Sequence, residues 1–225
     1  MTLNTPVIRL LVAKDWQLFQ KQLAVYVLAG IVALCFLGLA RPWSFYIGSL
    51  MLIVVTVSVA CFSIATSLMT ERKEKTLAFV MSLPVSPLDF TVAKLAGNLL
   101  TFAVPFLVIA GGTLAVVWFT PLPDGLFVYA LLIYGYILLA FSVSLAVAMS
   151  VESEGWSTFA MIASMVMINP YMMALGQVPA IDSRVREDAI VFTPEALGIL
   201  TVLVLMSVAV VGLTAWYHAR KPAFY

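Results

Sequence analysis

The amino-acid sequence predicts an all-α membrane protein, and three observations lead to this prediction. Of the 225 residues, 63% are hydrophobic and only 10% are charged, against about 25% charged in ordinary soluble domains. The charges fall in clusters, which leave six uncharged and continuously apolar windows. Each window reaches the length of about 20 residues that a helix needs to cross a bilayer. We therefore predict a single transmembrane domain over residues 1–225, with six spans at about 22–40, 44–70, 95–120, 125–150, 155–179 and 196–219.

The same composition argues against several classes of protein. A net charge of +1 is too small for a nucleic-acid-binding surface, so the lipid bilayer is the expected environment and nucleic acid is not an expected partner. The windows contain no Asp, Glu, Lys or Arg, and His218 lies at the last turn of the last span, which argues against an ion-coupled carrier. The sequence has no hydrolase motif and no phosphate-binding loop. We expect no catalytic site, no metal site and no cofactor.

The distribution of Lys and Arg residues orients the predicted spans, because positive residues stay on the cytoplasmic side. One side collects nine of these residues and the other collects three. The nine are Arg9, Lys14, Lys21, Arg72, Lys73, Lys75, Lys94, Arg220 and Lys221, and the three are Arg41, Arg184 and Arg186. Both termini are therefore predicted to be cytoplasmic, in a multi-pass protein of the cytoplasmic (inner) membrane.

Residues 5–21 are predicted to form an amphipathic helix at the membrane interface, ahead of the first span. Thr5 followed by Pro6 is a typical helix start. On a helical wheel one half of the helix is apolar and includes Trp16, whereas the other half carries Arg, Lys and Gln side chains. Asp15 interrupts the apolar half. Two interpretations stay open, a membrane anchor or a helix that also forms one wall of a docking site, where the Asp15 carboxylate would find a partner.

The most informative stretch of the sequence is residues 71–94, between the second and third spans. Five consecutive charged residues, Glu71 to Lys75, end the second span, and an apolar stripe at helical spacing follows them. Pro84 would stop this short helix. The sequence Ser86-Pro87-Leu88-Asp89 then has the form of a capping box that starts the next helix. These features predict a cytoplasmic helix, a turn and a second helix, and the alternative is a solvated charged loop that needs no partner.

This stretch resembles the cytoplasmic segment of type-2 ABC transporter permeases. The resemblance lies in the run from Glu71 to Leu77, in Ser82-Leu83-Pro84-Val85-Ser86 and in Ala93-Lys94-Leu95, and it extends to the layout of nearly the whole chain. Lys75 and Ala78 stand where glycine and glutamate are common in the family. The resemblance implies that residues 71–84 form a coupling helix between spans two and three. Its implied ATPase-coupling residues are Glu71, Arg72, Glu74, Thr76, Leu77, Val80, Leu83 and Pro84.

The resemblance also implies partners and an activity. The partners are a separate ABC ATPase (nucleotide-binding) subunit and a second permease copy or a paralogue. The activity is ATP-driven export of a hydrophobic or amphipathic substrate, such as a lipid-like molecule, a drug or a peptide. The chain itself would not be an enzyme. Two alternatives stay open, a membrane scaffold or assembly factor that recruits a cytoplasmic protein, and a haem-exporter-like permease.

The fifth predicted span contains a helix-breaking pair, Asn169-Pro170, toward its outer half. A proline at this depth predicts a kink or a broken helix. In the family that the chain resembles, this region forms an outer gate, so Asn169, Pro170 and the nearby Met165 are candidate pathway or gate residues. The methionines of this span would suit an irregular apolar cargo, although packing against lipid and other helices is the simpler explanation.

Overall fold

The computed structural model describes residues 4–69, 87–151 and 153–220, and within these ranges the chain consists of helices and connecting turns, with no β-strand. The predicted coupling helix, residues 71–84, lies outside the described residues. The helices are α1 (Thr5–Gly38), α2 (Pro42–Ile64), which continues as a π-helical turn (Ala65–Met69), α3 (Pro87–Phe119), α4 (Gly125–Ser150), α5 (Glu154–Val166), α6 (Ile168–Leu175), α7 (Pro179–Asp182) and α8 (Pro194–Ala219).

Six helical segments are long and apolar enough to cross a membrane, which confirms the number of predicted spans. They are Thr5–Gly38, Pro42–Leu68, Leu88–Phe119, Gly125–Ser150, Glu154–Leu175 and Pro194–His218. The fifth of these segments combines α5 and α6. The sequence pattern and the structure therefore agree on an all-helical, multi-pass membrane architecture.

The first helix differs from the prediction. α1 is continuous over 34 residues. The expected interface helix at 5–21 and the expected first span at 22–40 are therefore one helix, with no helix end between them. At 1.5 Å per residue α1 is about 51 Å long, roughly 20 Å longer than the hydrocarbon core is thick. No Gly or Pro interrupts the chain between Pro6 and Gly30, so nothing in the backbone stops the helix near residue 21.

The centre of the bundle is formed by α2, α3 and α4. In the apolar window of each of these helices 44% of the residues are buried, against 22% in α1 and 17% in α8. α1 packs on α2 and α3, and α4 packs on α5 and α8. At the centre the rings of Phe102 and Phe141 stack with their centroids 3.9 Å apart. The peripheral helices expose many large apolar side chains, which is the surface that a lipid environment requires.

Successive spans run in opposite directions, so the bundle has two ends. We name one the terminal end, because the first and last described residues lie there, and the other the loop end. The terminal end contains Asn4, Met69, Pro87, Val151 and Arg220, and the loop end contains the connections 39–41, 120–124 and 176–193.

Two glycines allow close backbone contacts at the loop end. A Cβ atom on Gly48 would lie 2.7 Å from the backbone nitrogen of Leu37, so the first turns of α2 pack directly on the last turns of α1. Gly125 is the first residue of α4, and its amide donates to the Glu187 carbonyl at 3.0 Å. A Cβ atom on Gly125 would overlap the carbonyl group of Arg184. A residue without a side chain is therefore required at both positions.

Candidate functional site

A buried ion pair joins α1 to α3 at the terminal end of the bundle. Lys94 Nζ donates to Asp15 Oδ2 at 3.0 Å, and each side chain is only 5% exposed. The more exposed Lys14 places its Nζ 3.6 Å from Asp15 Oδ1. Burying either charge alone would cost several kcal/mol, and the opposite charge offsets that cost. The carboxylate that interrupts the apolar half of α1 thus has a partner within the chain.

The backbone around this pair allows α1 and α3 to approach closely. A Cβ atom on Gly97 would lie 3.3 Å from Asp15 Oδ2, so the missing side chain leaves the space that the carboxylate occupies. Lys94 Nζ also lies 6.0 Å from the centroid of the Phe90 ring, at the outer limit of a cation–π contact. The ion pair is therefore enclosed by the packing of two helices.

Hydrogen bonds extend this polar region from α3 to α2. Asn98 is fully buried, and its Nδ2 donates to the Lys94 carbonyl at 2.9 Å and to Ser67 Oγ at 3.0 Å. Ser63 Oγ donates to the Asn98 carbonyl at 3.2 Å and lies 2.7 Å from Thr101 Oγ1. Ser67 belongs to the π-helical turn after α2, and such turns are frequent at functional positions. In an apolar bundle, a satisfied network of this kind fixes the positions of two helices relative to each other.

A further contact ties the beginning of the described chain to α3. The backbone amide of Asn4, the N-cap of α1, donates to Oδ1 of the buried Asp89 at 2.9 Å. Polar contacts therefore connect α1 to the end of α2 and to the start of α3. In the sequence, residues 70–86 lie between these two helix ends. We name this set of side chains the terminal-end polar cluster: Asp15, Ser63, Ser67, Asp89, Lys94, Asn98 and Thr101.

The predicted site residues at the terminal end have different outcomes. The implied ATPase-coupling residues Glu71, Arg72, Glu74, Thr76, Leu77, Val80, Leu83 and Pro84 lie outside the described residues, so their role stays a prediction. Asp15 belongs to the polar cluster, and Trp16 is partly buried beside it on α1. Because Lys94 pairs with Asp15, the position of this carboxylate needs no external partner to explain it.

The helix break predicted from Pro170 is present in the fifth span. α5 ends at Val166 and α6 begins at Ile168. Proline has no amide hydrogen to offer the Val166 carbonyl four residues earlier, which explains why the hydrogen-bond ladder is interrupted at Met167. The sequence therefore identified a local backbone feature correctly.

The three candidate gate residues surround this break but do not line a common space. Met165 is buried, whereas Asn169 and Pro170 are exposed. None of the three lines the cavity at the loop end, although Met172 of α6 and Gly176, which follows α6, do. A gate role for these residues stays a prediction.

A cavity of about 370 Å³ lies at the loop end, between α1, α2, α3, α4 and α6. Its volume falls in the range of small-molecule sites. Most of its wall is apolar, with Leu37, Leu52, Ile53 and Val117 among the lining residues. Its polar side chains are Tyr46, Ser49, Thr113, Tyr129, Tyr134 and Asp182. The cavity and the polar cluster therefore occupy opposite ends of the same helices.

The residues of α3 in the polar cluster carry a signal that the sequence interpretation missed. Lys94, Asn98 and Thr101 recur at the spacing of one helix face, and Ser63 and Ser67 do so on α2. The charge count used Lys94 only to orient the spans. The cavity offers no comparable signal, because its lining residues come from six helices and from the connections between them.

Comparison of the chain with protein-family models, with curated proteins and with solved structures finds no match. The case for a function therefore rests on the residues and the geometry of the chain itself.

Proposed function

We propose that the chain is the transmembrane permease subunit of an ATP-driven ABC transporter, which exports a hydrophobic or amphipathic substrate across the cytoplasmic membrane. It works with a separate ABC ATPase subunit and with a second permease copy or a paralogue. The observation that carries the proposal is the terminal-end polar cluster. This cluster joins α1 to the end of α2 and to the start of α3. In the sequence, those two helix ends are connected by residues 70–86, which hold the segment resembling a coupling helix.

The polar cluster supplies the rigidity that such a mechanism requires. An ATPase partner that presses on a cytoplasmic helix must move whole spans if the pressure is to reach the far side of the membrane. The Asp15–Lys94 pair joins α1 to α3, and Asn98 joins α3 to Ser67 at the end of α2. A force on residues 70–86 would therefore move these three helices together. The sequence has no phosphate-binding loop, so the energy would come from another subunit.

The cavity at the loop end supports the transport part of the proposal. It lies between the three linked helices on one side and α4 and α6 on the other. A movement of α1, α2 and α3 against α4 and α6 would change its volume and its opening. The Lys and Arg distribution predicts a cytoplasmic terminal end, which would put the cavity at the outer leaflet, where an exporter releases its substrate.

Co-purification tests the proposal directly. The tagged chain, expressed in its native cells, is expected to retain an ATPase, and the combined substitution of Leu77, Val80 and Leu83 by serine should abolish that retention because it removes the apolar stripe. The matched control combines Ala78→Ser with Ser82→Ala, which alters the same segment away from the stripe and should leave the complex intact. Retention of the ATPase by the triple variant, or its absence from the wild type, would contradict the proposal.

Activity measurements on the same complex distinguish a permease from a scaffold. A permease complex reconstituted in vesicles hydrolyses ATP and moves a solute across the membrane. A scaffold would bind its partner through the same segment without vectorial transport. Retention of a partner that hydrolyses no ATP in the complex would therefore favour the scaffold.

A further inference from the structure

The cavity at the loop end has one charged side chain in an otherwise uncharged wall. Among the described residues that line it, Asp182 is the only charged one, and Lys, Arg and His are absent from that lining. Aromatic rings occupy several of the other lining positions: Phe45, Tyr46, Tyr129 and Tyr134. The wall thus combines apolar surface, aromatic side chains and a carboxylate.

The hydroxyl hydrogens of three lining residues are already used within the chain. Thr113 Oγ1 donates to the Ile109 carbonyl at 2.8 Å, so in its 2.7 Å contact with Tyr134 the tyrosine hydroxyl is the donor. Ser49 Oγ donates to the Tyr46 carbonyl at 3.2 Å. These three groups therefore offer no hydrogen to an anionic or carbonyl-bearing ligand.

The Asp182 carboxylate is not neutralised by its neighbours. Arg184, two residues away, places Nη1 2.7 Å from Glu187 Oε2 and is thereby paired. Within the part of the chain that the structure describes, the Asp182 side chain makes no hydrogen bond and no ion pair. A carboxylate attracts a cation through its charge, and an aromatic ring adds to that attraction where the cation meets the ring face.

The cavity reaches the outer surface of the bundle at the exposed Tyr46 of α2. Tyr46 lines the cavity and is 73% exposed, and the neighbouring Leu50 is 64% exposed on the same helix. A ligand with an apolar body concentrates in the bilayer, so it can reach the cavity from the membrane and place its polar end near the loop.

From this arrangement we propose that the cavity binds an amphipathic organic cation, with its apolar body among α1, α2, α3 and α4 and its positive centre near Asp182 and the tyrosine rings. The proposal rests on the proposed function, since it names the chemical class of the exported solute. Binding itself needs neither an ATPase nor ATP.

The test uses the full-length chain in nanodiscs of zwitterionic lipid, with radiolabelled tetraphenylphosphonium as the cation and tetraphenylborate as an anion of nearly the same shape. Signals from empty nanodiscs are subtracted. The wild type should bind the cation saturably and the anion not at all. Asp182→Asn should weaken cation binding about tenfold or more, because it removes a charge-assisted contact. Ser49→Phe should also weaken it, because a ring would fill the cavity.

The matched control is Asp188→Asn, which removes the same charge from the same connection at a position that is exposed, as Asp182 is, but does not line the cavity. This variant should bind the cation as the wild type does. Equal binding of the cation and the anion, no saturable cation binding, or an equal effect of the Asp182 and Asp188 substitutions would overturn the proposal. These results leave ATPase co-purification unaffected, so failure of the ligand assignment can be distinguished from failure of the permease function.

Discussion

Asp15 and Lys94 are 79 residues apart in the sequence, yet Lys94 Nζ donates to Asp15 Oδ2 at 3.0 Å in the interface of α1 and α3. Both side chains are buried, unlike those of the Arg184–Glu187 pair, which are 47% and 40% exposed. The buried pair therefore joins two spans, whereas the exposed pair joins two residues of one loop. This difference determines how each pair should respond to mutation.

Breaking the buried pair should be far more costly than removing it. Asp15→Leu or Lys94→Met alone should destabilise the fold by about 3–5 kcal/mol, because each removes the partner of a buried charge across the interface of α1 and α3, and the double variant should lie much closer to the wild type. The free energy of unfolding in detergent micelles is measured for all three variants. As a control, replacing Arg184 and Glu187 together by glutamine should cost less than about 1 kcal/mol, because an exposed pair is screened by solvent. Additive effects of the two single substitutions would contradict the assigned coupling.

Asn98 should be a second sensitive position in the polar cluster. Asn98→Leu should destabilise the chain by about 1–3 kcal/mol, because Ser67 and the Lys94 carbonyl lose their partner in a buried region. The control Thr56→Val alters an equally buried side chain whose hydroxyl bonds only to the Leu52 carbonyl of its own helix, and should cost less. The two melting temperatures are compared in the same detergent. A larger loss for Thr56→Val would show that Asn98 does not link α2 to α3.

Gly125 should not accept even a methyl group. Gly125→Ala should destabilise the loop end by about 1–3 kcal/mol, because the added Cβ meets the Arg184 carbonyl group and the helix start must shift. Gly198→Ala is the control, since a Cβ on this α8 glycine meets nothing within 4 Å. That change should be neutral or stabilising, because alanine favours the helix by about 1 kcal/mol. Thermal unfolding of both variants tests this prediction, and equal destabilisation of the two would rule out the steric explanation.

The turn between α1 and α2 contains a residue that glycine should improve. Ala40 has a φ of 49°, a left-handed conformation that costs an L-residue about 1–2 kcal/mol. Ala40→Gly should therefore raise the melting temperature slightly, since the greater freedom of glycine in the unfolded chain offsets part of the gain. The same substitution at the exposed Ala24, inside α1, should lower the melting temperature, because glycine is less favourable than alanine in a helix by about 1 kcal/mol. A melting temperature that falls for both variants would argue against strain at Ala40.

Chemical labelling of introduced cysteines tests the proposed orientation of the two ends. In a chain with Cys35 and Cys61 replaced by alanine, a cysteine at the exposed Ser183 of the loop end should react with a membrane-impermeant maleimide in intact cells. A cysteine at the exposed Ser153 of the terminal end should react only after the membrane is permeabilised. The reverse pattern would place both termini outside the cytoplasm and would contradict the orientation taken from Lys and Arg residues.

Local features explain which parts of the structure could be predicted. The six apolar segments follow from hydrophobicity over about 20 consecutive residues, and the break near Pro170 follows from one missing amide hydrogen. The continuity of α1 is also local, because no Gly or Pro follows Pro6 before Gly30. The change from interfacial to apolar composition near residue 21 suggested a boundary there, but the backbone has no reason to end a helix at that point.

The sequence by itself determined the number of helices long enough to cross a membrane, because each such helix satisfies its backbone hydrogen bonds within one segment. Only the tertiary structure decided that Asp15 meets Lys94, that Asn98 reaches Ser67, and that Asp182 joins aromatic rings from two helices around one cavity. Each of these contacts depends on how helices far apart in sequence pack against one another. Charge position and apolar periodicity along a single helix carry no information about which neighbour that helix will face.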